Sequence, residues 1–347
     1  MVVEDKHFEQ SNLTAFIKAS DENRDINTQY PLSTAFPVEE VEEISNVYDI
    51  IETQLNVAAS ITGFNSGAPI RDKGQGKQAL AKLTKIQDAY YLDETELLHY
   101  RNPRTDAERQ KIIDNVLMST DELSDGIEKT KELMRAQMTY KGAFIYEDPR
   151  TETQINFSLD RPKENDLTAT KEWGTKDAEP ISDLIAAVEQ YQKTNGNAKP
   201  EIINMNSKTY NKLKRSGQVK LELYDNTNSP RIVKDDSLTE LVQSFGLPQV
   251  QIDDSQTPIE QLDGTRKIVK HLDDDKVVLR AAVLGKTLSG PSVENDFAKG
   301  KFATTVASQD PVSEKTIVGE VALPITQNIN GTVYINTKPS ATTSSEQ

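Results

Sequence analysis

No cysteine occurs anywhere in this chain. That absence excludes disulfides, thiolate metal sites and cysteine nucleophiles, and it suits a reducing compartment. Histidine is almost missing too: only His7, His99 and His271 occur, too scattered for a zinc pair on one helix face. Aromatic residues make up 6% and hydrophobic residues 35% of the 347 positions, low for compact globules of that length, so much of the chain is expected to lie extended or flat. Cations are in deficit, with Lys+Arg 40 against Asp+Glu 55 and a net charge of -15. No counterion-releasing excess is available for a phosphate backbone, so a nucleic-acid reader is not expected. No apolar run approaches the length of a membrane span, and Met1-Val2-Val3-Glu4-Asp5-Lys6 has no apolar core of a signal peptide. A soluble product, not exported by the Sec route and without a membrane partner, is expected.

Against this background one stretch stands out, from Arg104 to Leu159. Thr105-Asp106-Ala107-Glu108 follows Pro103 as a capping box and predicts a helix start. No proline follows until Pro149, and Ile112, Val116, Thr120, Leu123, Ile127, Thr130, Met134 and Met138 step by fours and threes along one stripe. Arg104 with Glu108, Asp125 with Lys129, and Glu132 with Arg135 are expected to solvate the opposite face. Gly126 is the weak interior point and Gly142 the stop. A helix of that extent is roughly 54 Å long and outruns any compact core. A hairpin is predicted next, Ala143 to Glu147 and Thr153 to Leu159, turning through Asp148-Pro149-Arg150.

Residues 1–59 read as an acidic arm with one short amphipathic helix on Val38, Val41, Ile44, Val47, Tyr48 and Ile51. Gly63, Gly67 and Pro69 then introduce Ile70-Arg71-Asp72-Lys73-Gly74-Gln75-Gly76-Lys77, a charged tip of an exposed excursion from which Leu80, Leu83 and Ile86 lead back. Asp93-Glu94-Thr95-Glu96 predicts a short helix. Beyond the hairpin, residues 161–177 read as a polar loop around Trp173, the only tryptophan. Pro180 opens a helix ended by Asn195-Gly196, Glu201 to Met205 is a buried strand, and Ser207 to Leu213 is a short helix. Ser237-Leu238-Thr239-Glu240 is read as a capping box whose helix stops at Gly246. Strands are predicted at Pro248 to Ile252, Arg266 to Leu272 and Lys276 to Val283, giving a compact α+β block. Residues 285–309 read as a loop, Thr316 to Ala322 and Gly331 to Asn336 as closing strands, and 338–347 as a Ser/Thr-rich tail.

Chemistry is hard to find in these residues. Gly74-Gln75-Gly76-Lys77 lacks the spacing and flanking strand of a phosphate loop and reads as a loop tip. Asp273-Asp274-Asp275 lacks the alternating ligands, central glycine and distal glutamate of a calcium loop and reads as a solvated turn. Glu39, Glu40, Glu42 and Glu43 interleave with Val38, Val41 and Ile44 as on a wet helix face. The three histidines read as surface or interface residues. No catalytic residue, cofactor or metal ion is expected.

The order of elements and a set of ordered landmarks do resemble a known family. Arg135-Ala136-Gln137-Met138 before Gly142, Ile155-Asn156-Phe157, Trp173, Asp183-Leu184, Pro200-Glu201-Ile202-Ile203-Asn204-Met205, Leu284-Gly285-Lys286-Thr287, Asp310-Pro311 and Leu323-Pro324 resemble the lambda-like phage major capsid protein E family. The likeness covers about residues 50–330, with Ser158 standing where the family has glycine. It implies an α+β fold of the tailed-phage capsid type, with an N-terminal arm (1–61) and an extended loop (62–90). A peripheral domain (91–177 and 284–337) would carry the spine helix 105–141, an axial domain would occupy 178–283, and a flexible tail 338–347. It also implies self-association into pentamers and hexamers, with scaffolding and portal proteins as partners, a decoration protein in some members, and packaged DNA enclosed without sequence preference. Lys73 and Lys77 sit where some relatives of the fold cross-link covalently; lambda-like members generally do not, and no cross-link is expected. Two rivals stand beside this expectation: an encapsulin-like nanocompartment shell, and a hydrolase or binding protein with its site in 178–283 and the long helix as a dimerisation rod.

Overall fold

The structure is a computed structural model, and it describes residues 9–50, 77–103, 105–148, 153–261, 263–310 and 312–339. Helix α1 (Gln10–Asn23) and the single turn α2 (Ile26–Gln29) open the described chain. Leu13 and Ile17, four apart on α1, are fully buried. The helix expected over 38–51 is instead two strands, β1 (Val38–Glu40) and β2 (Ser45–Ile50). Tertiary pairing overrides the local spacing here, because Val38 to Glu40 run parallel to Thr287 to Ser289 and find ladder partners there. The supposed apolar stripe is not buried either: Val38 and Ile44 are exposed. Ile51 and the tip Arg71 to Gly76 lie outside the described residues.

The described chain resumes with β3 (Lys77–Lys82), paired with β2, and β4 (Thr84–Leu92). Helix α3 (Glu94–Arg101) starts with a complete capping box, Asp93 accepting from the Glu96 amide while Glu96 accepts from that of Asp93. Helix α4 (Asp106–Lys141) is continuous for 36 residues. The Thr105 hydroxyl accepts from the Glu108 amide at its start, and Gly142 ends it with φ +67°, a left-handed conformation that a side chain resists. The first half of α4 buries Val116, Thr120 and Ile127 as expected, but Ile113 takes the buried place expected for Ile112, and Ile112 and Leu123 are only half-buried. Its second half departs from expectation, because Glu128, Lys131, Glu132 and Arg135 are buried along with Leu133 and Met134. The Glu132–Arg135 pair therefore lies inside the protein and solvates nothing.

The hairpin follows as β5 (Ala143–Asp148) and β6 (Thr153–Ser158), antiparallel. Residues 161–177 are not simply a loop: they hold a short 3-10 turn and strand β7 (Asp166–Thr168), and Trp173 is buried. Then come α5 (Pro180–Thr194), β8 (Ile202–Met205), α6 (Ser207–Arg215), α7 (Gly217–Tyr224) and α8 (Asp235–Ser244). Helix α7 was not foreseen. Helix α8 begins two residues ahead of Ser237, whose side chain therefore lies within the first turn and caps nothing. Strands β9 (Gln249–Ile252), β10 (Gln256–Glu260), β11 (Arg266–Lys270) and β12 (Lys276–Arg280) complete this region. Residues 285–309, expected as a loop, contain β13 (Gly285–Gly290) and β14 (Phe302–Gln309); the long β15 (Val312–Thr326) and β16 (Thr332–Asn336) close the chain.

By its contacts the chain forms two compact units. One comprises Met1–Tyr48, Ala79–Arg135 and Gly285–Ile325. Its sheet runs β1-β13-β15-β14, with β4 also pairing antiparallel to β15. Leu13 and Ile17 of α1 pack with Ile127 of α4, Ala303 and Val318. The other comprises Asp49–Gln78, Ala136–Leu284 and Thr326–Gln347. Its mixed sheet has the order β7-β16-β12-β8-β9. The inner strands β8, β12 and β16 read as nearly continuous apolar runs because helices cover them. Ile181, Leu184, Ile203, Val277, Leu279 and Val333 form the centre of that core.

Candidate functional site

The residue types that could carry chemistry are dispersed or already engaged. His99 is exposed and lies 3.7 Å from Glu108, while His7 is outside the described residues. His271, expected at the surface, is buried: its Nε2 lies 2.8 Å from the Thr257 hydroxyl, and burial pushes its pKa down. It sits just after β11, where the β10–β11 pairing turns that hydroxyl inward, a long-range effect invisible in local sequence. Each carboxylate of the Asp273 to Asp275 turn meets lysine: Asp273 with Lys141 at 3.7 Å, Asp274 with Lys208 at 2.8 Å, and Asp275 with Lys212 at 2.5 Å. Glu39 pairs with Lys286, and Glu40 and Glu42 with Lys299, all from strands or loops and not from a helix face. Among the described residues no three His, Cys, Asp or Glu side chains are grouped to hold a metal.

Beside that aspartate turn lies a cavity of about 470 Å³. There the Tyr334 ring is stacked by Arg161 at 3.6 Å and by Lys276 at 4.1 Å. Burial, helped by the neighbouring Arg161 and Lys141, pushes the Lys276 ammonium down against the pull of Asp273. The Tyr334 hydroxyl donates to the Thr139 carbonyl at 2.8 Å, which fixes the ring that both cations touch. No nucleophile with an adjacent base lines this space.

A network of buried charges ties α1 and the residues that follow it to α4 and the sheet of the first unit. Lys301 reaches Asp21 of α1 at 2.7 Å and Glu128 of α4 at 2.9 Å. Lys131 bridges Glu128 at 2.7 Å and Glu320 of β15 at 2.8 Å, and Glu320 accepts from Ser289. Burial alone would raise the Glu128 carboxyl, but Lys131 and Lys301 hold it down at about 2. Burial likewise opposes the charge on Lys131, and Glu320 and Glu128 override it and raise its pKa. One turn further, Glu132 accepts from the Leu32 amide at 2.8 Å and pairs with Arg135, whose guanidinium donates to the Thr287 hydroxyl. Thr287 in turn donates to the Phe36 carbonyl. Just after α1, Arg24 pairs with Asp121 at 2.7 Å, and the Tyr30 hydroxyl donates to Asp125. These charges are paired with one another, so they fix where α1 and the residues up to Phe36 lie against α4 and the sheet.

The landmark residues meet one another inside the two units. Arg135 donates to Thr287. The Trp173 indole donates to Asp183 at 2.8 Å, while Asp183 also accepts from Thr170. Asn204 accepts from the buried Arg280 at 2.7 Å. They hold architecture and not chemistry. What the molecule does present is apolar surface: Tyr91, Ile232, Ile268, Val293 and Phe297 are among its large exposed hydrophobic side chains.

The described residues thus combine a long helix, an adjoining hairpin, an N-terminal segment held by paired charges, and exposed apolar side chains. Two solved structures share the architecture over nearly their whole length. The capsid protein assigned to a prophage of E. coli CFT073 is 14% identical with a TM-score of 0.56, covering 95% of this chain and 99% of its own. A phage-related protein from Bordetella bronchiseptica RB50 is 10% identical with a TM-score of 0.55, covering 94% and 98%. No curated protein matches the sequence significantly. The model of the family Phage major capsid protein E matches residues 27–336. The chain belongs to that family, and it is a major capsid protein of a tailed phage.

Proposed function

We propose that this subunit closes, with copies of itself, into pentamers and hexamers that form an icosahedral shell around the phage genome. The observation that carries this is the family match across residues 27–336. Exposed apolar side chains such as Tyr91, Ile232 and Ile268 support it, because such residues find partners in neighbouring copies. In this reading residues 1–61 are the arm, 62–90 the extended loop and 178–283 the axial domain, while 91–177 and 284–337 build the periphery around α4. Assembly takes place in the host cytoplasm with scaffolding and portal proteins, and in some lineages a decoration protein. The net charge of -15 suits a container from which DNA must slide freely. The subunit catalyses no reaction.

Electron microscopy of the full chain, expressed alone or with the product of the gene upstream, tests this directly. Closed particles with fivefold and sixfold capsomers are the expected outcome. A compact monomer at every concentration and salt overturns the reading. Terminase and portal genes beside this one accord with a phage head, whereas a gene for an enzyme cargo would favour a nanocompartment.

A further inference from the structure

Strand pairing gives the β7-β16-β12 part of the second unit's sheet two unlike faces. Val277, Leu279, Val333 and Ile335 lie in the core, so by alternation Lys276 of β12, Tyr334 and Asn336 of β16, and Asp166 and Thr168 of β7 share the other face. That face is the floor of the cavity of about 470 Å³ beside the aspartate turn, a size that suits a small ligand. Arg161, which also lines the space, is fixed there by donating to the Thr332 hydroxyl at 2.9 Å and the Thr332 carbonyl at 3.2 Å. Lys141, the last residue of α4, lines it too. Every one of these groups belongs to the same compact unit.

The charges around this floor do not balance. Asp274 meets Lys208 and Lys270, Asp275 and Glu172 share Lys212, Asp166 pairs with Arg161 at 3.0 Å, and Asp273 lies 3.7 Å from Lys141, so five carboxylates are met by five cations. Lys276 is a sixth cation: its ammonium rests on the Tyr334 ring at 4.1 Å, and among the described residues no carboxylate pairs with it. Burial, with Arg161 and Lys141 nearby, makes that ammonium give up its proton more readily than a free lysine, although Asp273 and Asp166 pull the other way. A half-buried cation in this position is stabilised by a counter-ion. We infer that the cavity binds a dissolved oxyanion of the phosphate class, with Lys276 as its principal cation, Lys141 and Arg161 beside it, and the Thr168 hydroxyl and Asn336 amide as further donors. The Asn336 Oδ1 already accepts from the Lys338 amide, which leaves its NH2 to donate. A metal cation would meet the three cations of the lining and is disfavoured by charge. The site does not depend on the shell reading, since an unassembled subunit carries all of it.

Inorganic phosphate is the probe, titrated into the full-length chain at a concentration below assembly, with sodium chloride at matched ionic strength as the reference. Melting temperature and heat of binding are followed together. Wild type should show a saturable heat and melt about 3 °C higher at saturation. Lys276→Met keeps most of the side chain's length and removes its charge, so it should bind about tenfold more weakly or worse. Without phosphate it should melt within about 5 °C of wild type or above it, because the ammonium it removes has no carboxylate partner. Lys141→Gln should bind about threefold more weakly, and Lys315→Gln, on the exposed surface of β15, should bind as wild type does. Phosphate that acts no differently from chloride overturns the inference. So does a wild-type rise retained in Lys276→Met, for phosphate then acts at another place or by exclusion from the surface. Should Lys276→Met melt lower by more than about 5 °C, Lys141→Gln decides: weakened binding there upholds the site, and wild-type binding overturns it.

Discussion

Lys301 holds two elements that lie far apart in sequence: its ammonium touches Asp21 on α1 and Glu128 on α4, and it also donates to the Ser124 hydroxyl. Replacing it by methionine leaves Glu128 and Asp21 partly buried without that cation, which should destabilise the fold by about 3 kcal/mol, read from denaturant midpoints. Glu128 supplies a pH dependence of determined sign. Its carboxyl stands near 2 in the folded protein against 4.5 for the free side chain. A depressed carboxylate contributes stability that is complete above its unfolded pKa and is lost as protons bind. Stability should therefore decline as pH falls from 4.5 towards 2, and Glu128→Gln should be less stable at neutral pH while showing a shallower decline. An unchanged slope in that variant would assign the acid sensitivity to other carboxylates. None of this was legible in the sequence. Lys131, Glu132 and Arg135 look like the solvated face of a helix until two further layers of chain, the arm and β15, are laid over them. The landmarks Arg135, Thr287, Trp173 and Asp183 were legible as a set, because the sequence preserves their order; that they bond in pairs emerges only in space.

Among the elements, α4 was read with both ends nearly correct because its signals are local. Thr105 caps the start, Gly142 stops the end, and no proline interrupts the interior. The hairpin β5–β6 and helix α5 share that property. Strands β1 and β13 were missed for the opposite reason, since they pair with each other across about 250 residues and alternation alone does not reveal such a partner. The glycines of the helices permit a contrasting pair of tests. Gly126 lies inside α4 with nothing within 4 Å of an added Cβ. Gly126→Ala should therefore stabilise the subunit by about 0.5 to 1 kcal/mol, seen as a higher melting temperature with unchanged helical content. Gly217, at the first position of α7, faces the Lys176 carbonyl, which an added Cβ would meet at 1.7 Å. Gly217→Ala should destabilise despite the better helix propensity of alanine, because that carbonyl belongs to backbone and cannot swing aside. Equal melting temperatures for the two variants would contradict the packing described around α7.

At the scale of the whole molecule the question is which parts serve folding and which serve assembly. The excursion tip, Arg71 to Lys77, carries glycines and charges but no aliphatic side chain, so it cannot add to a hydrophobic core. The described subunit already contains two cores built without it, one around Leu13, Ile17, Ile127 and Val318, the other around Leu184, Ile203, Val277 and Val333. Substituting Gly74 or Gly76 singly is a weak test, since either can supply the needed freedom for the other. Removing Lys73 to Lys77 and joining the ends is stronger. The shortened chain should keep its helical circular dichroism and cooperative melting, because every contact of both cores is retained. It should lose closed shells, because an extended loop that reaches a neighbouring copy acts only across that interface. Failure to fold would assign the excursion to the subunit's own structure. Normal shells would reduce its tip to an ordinary surface loop, and the proposed extended loop at 62–90 would have to be sought elsewhere in the chain.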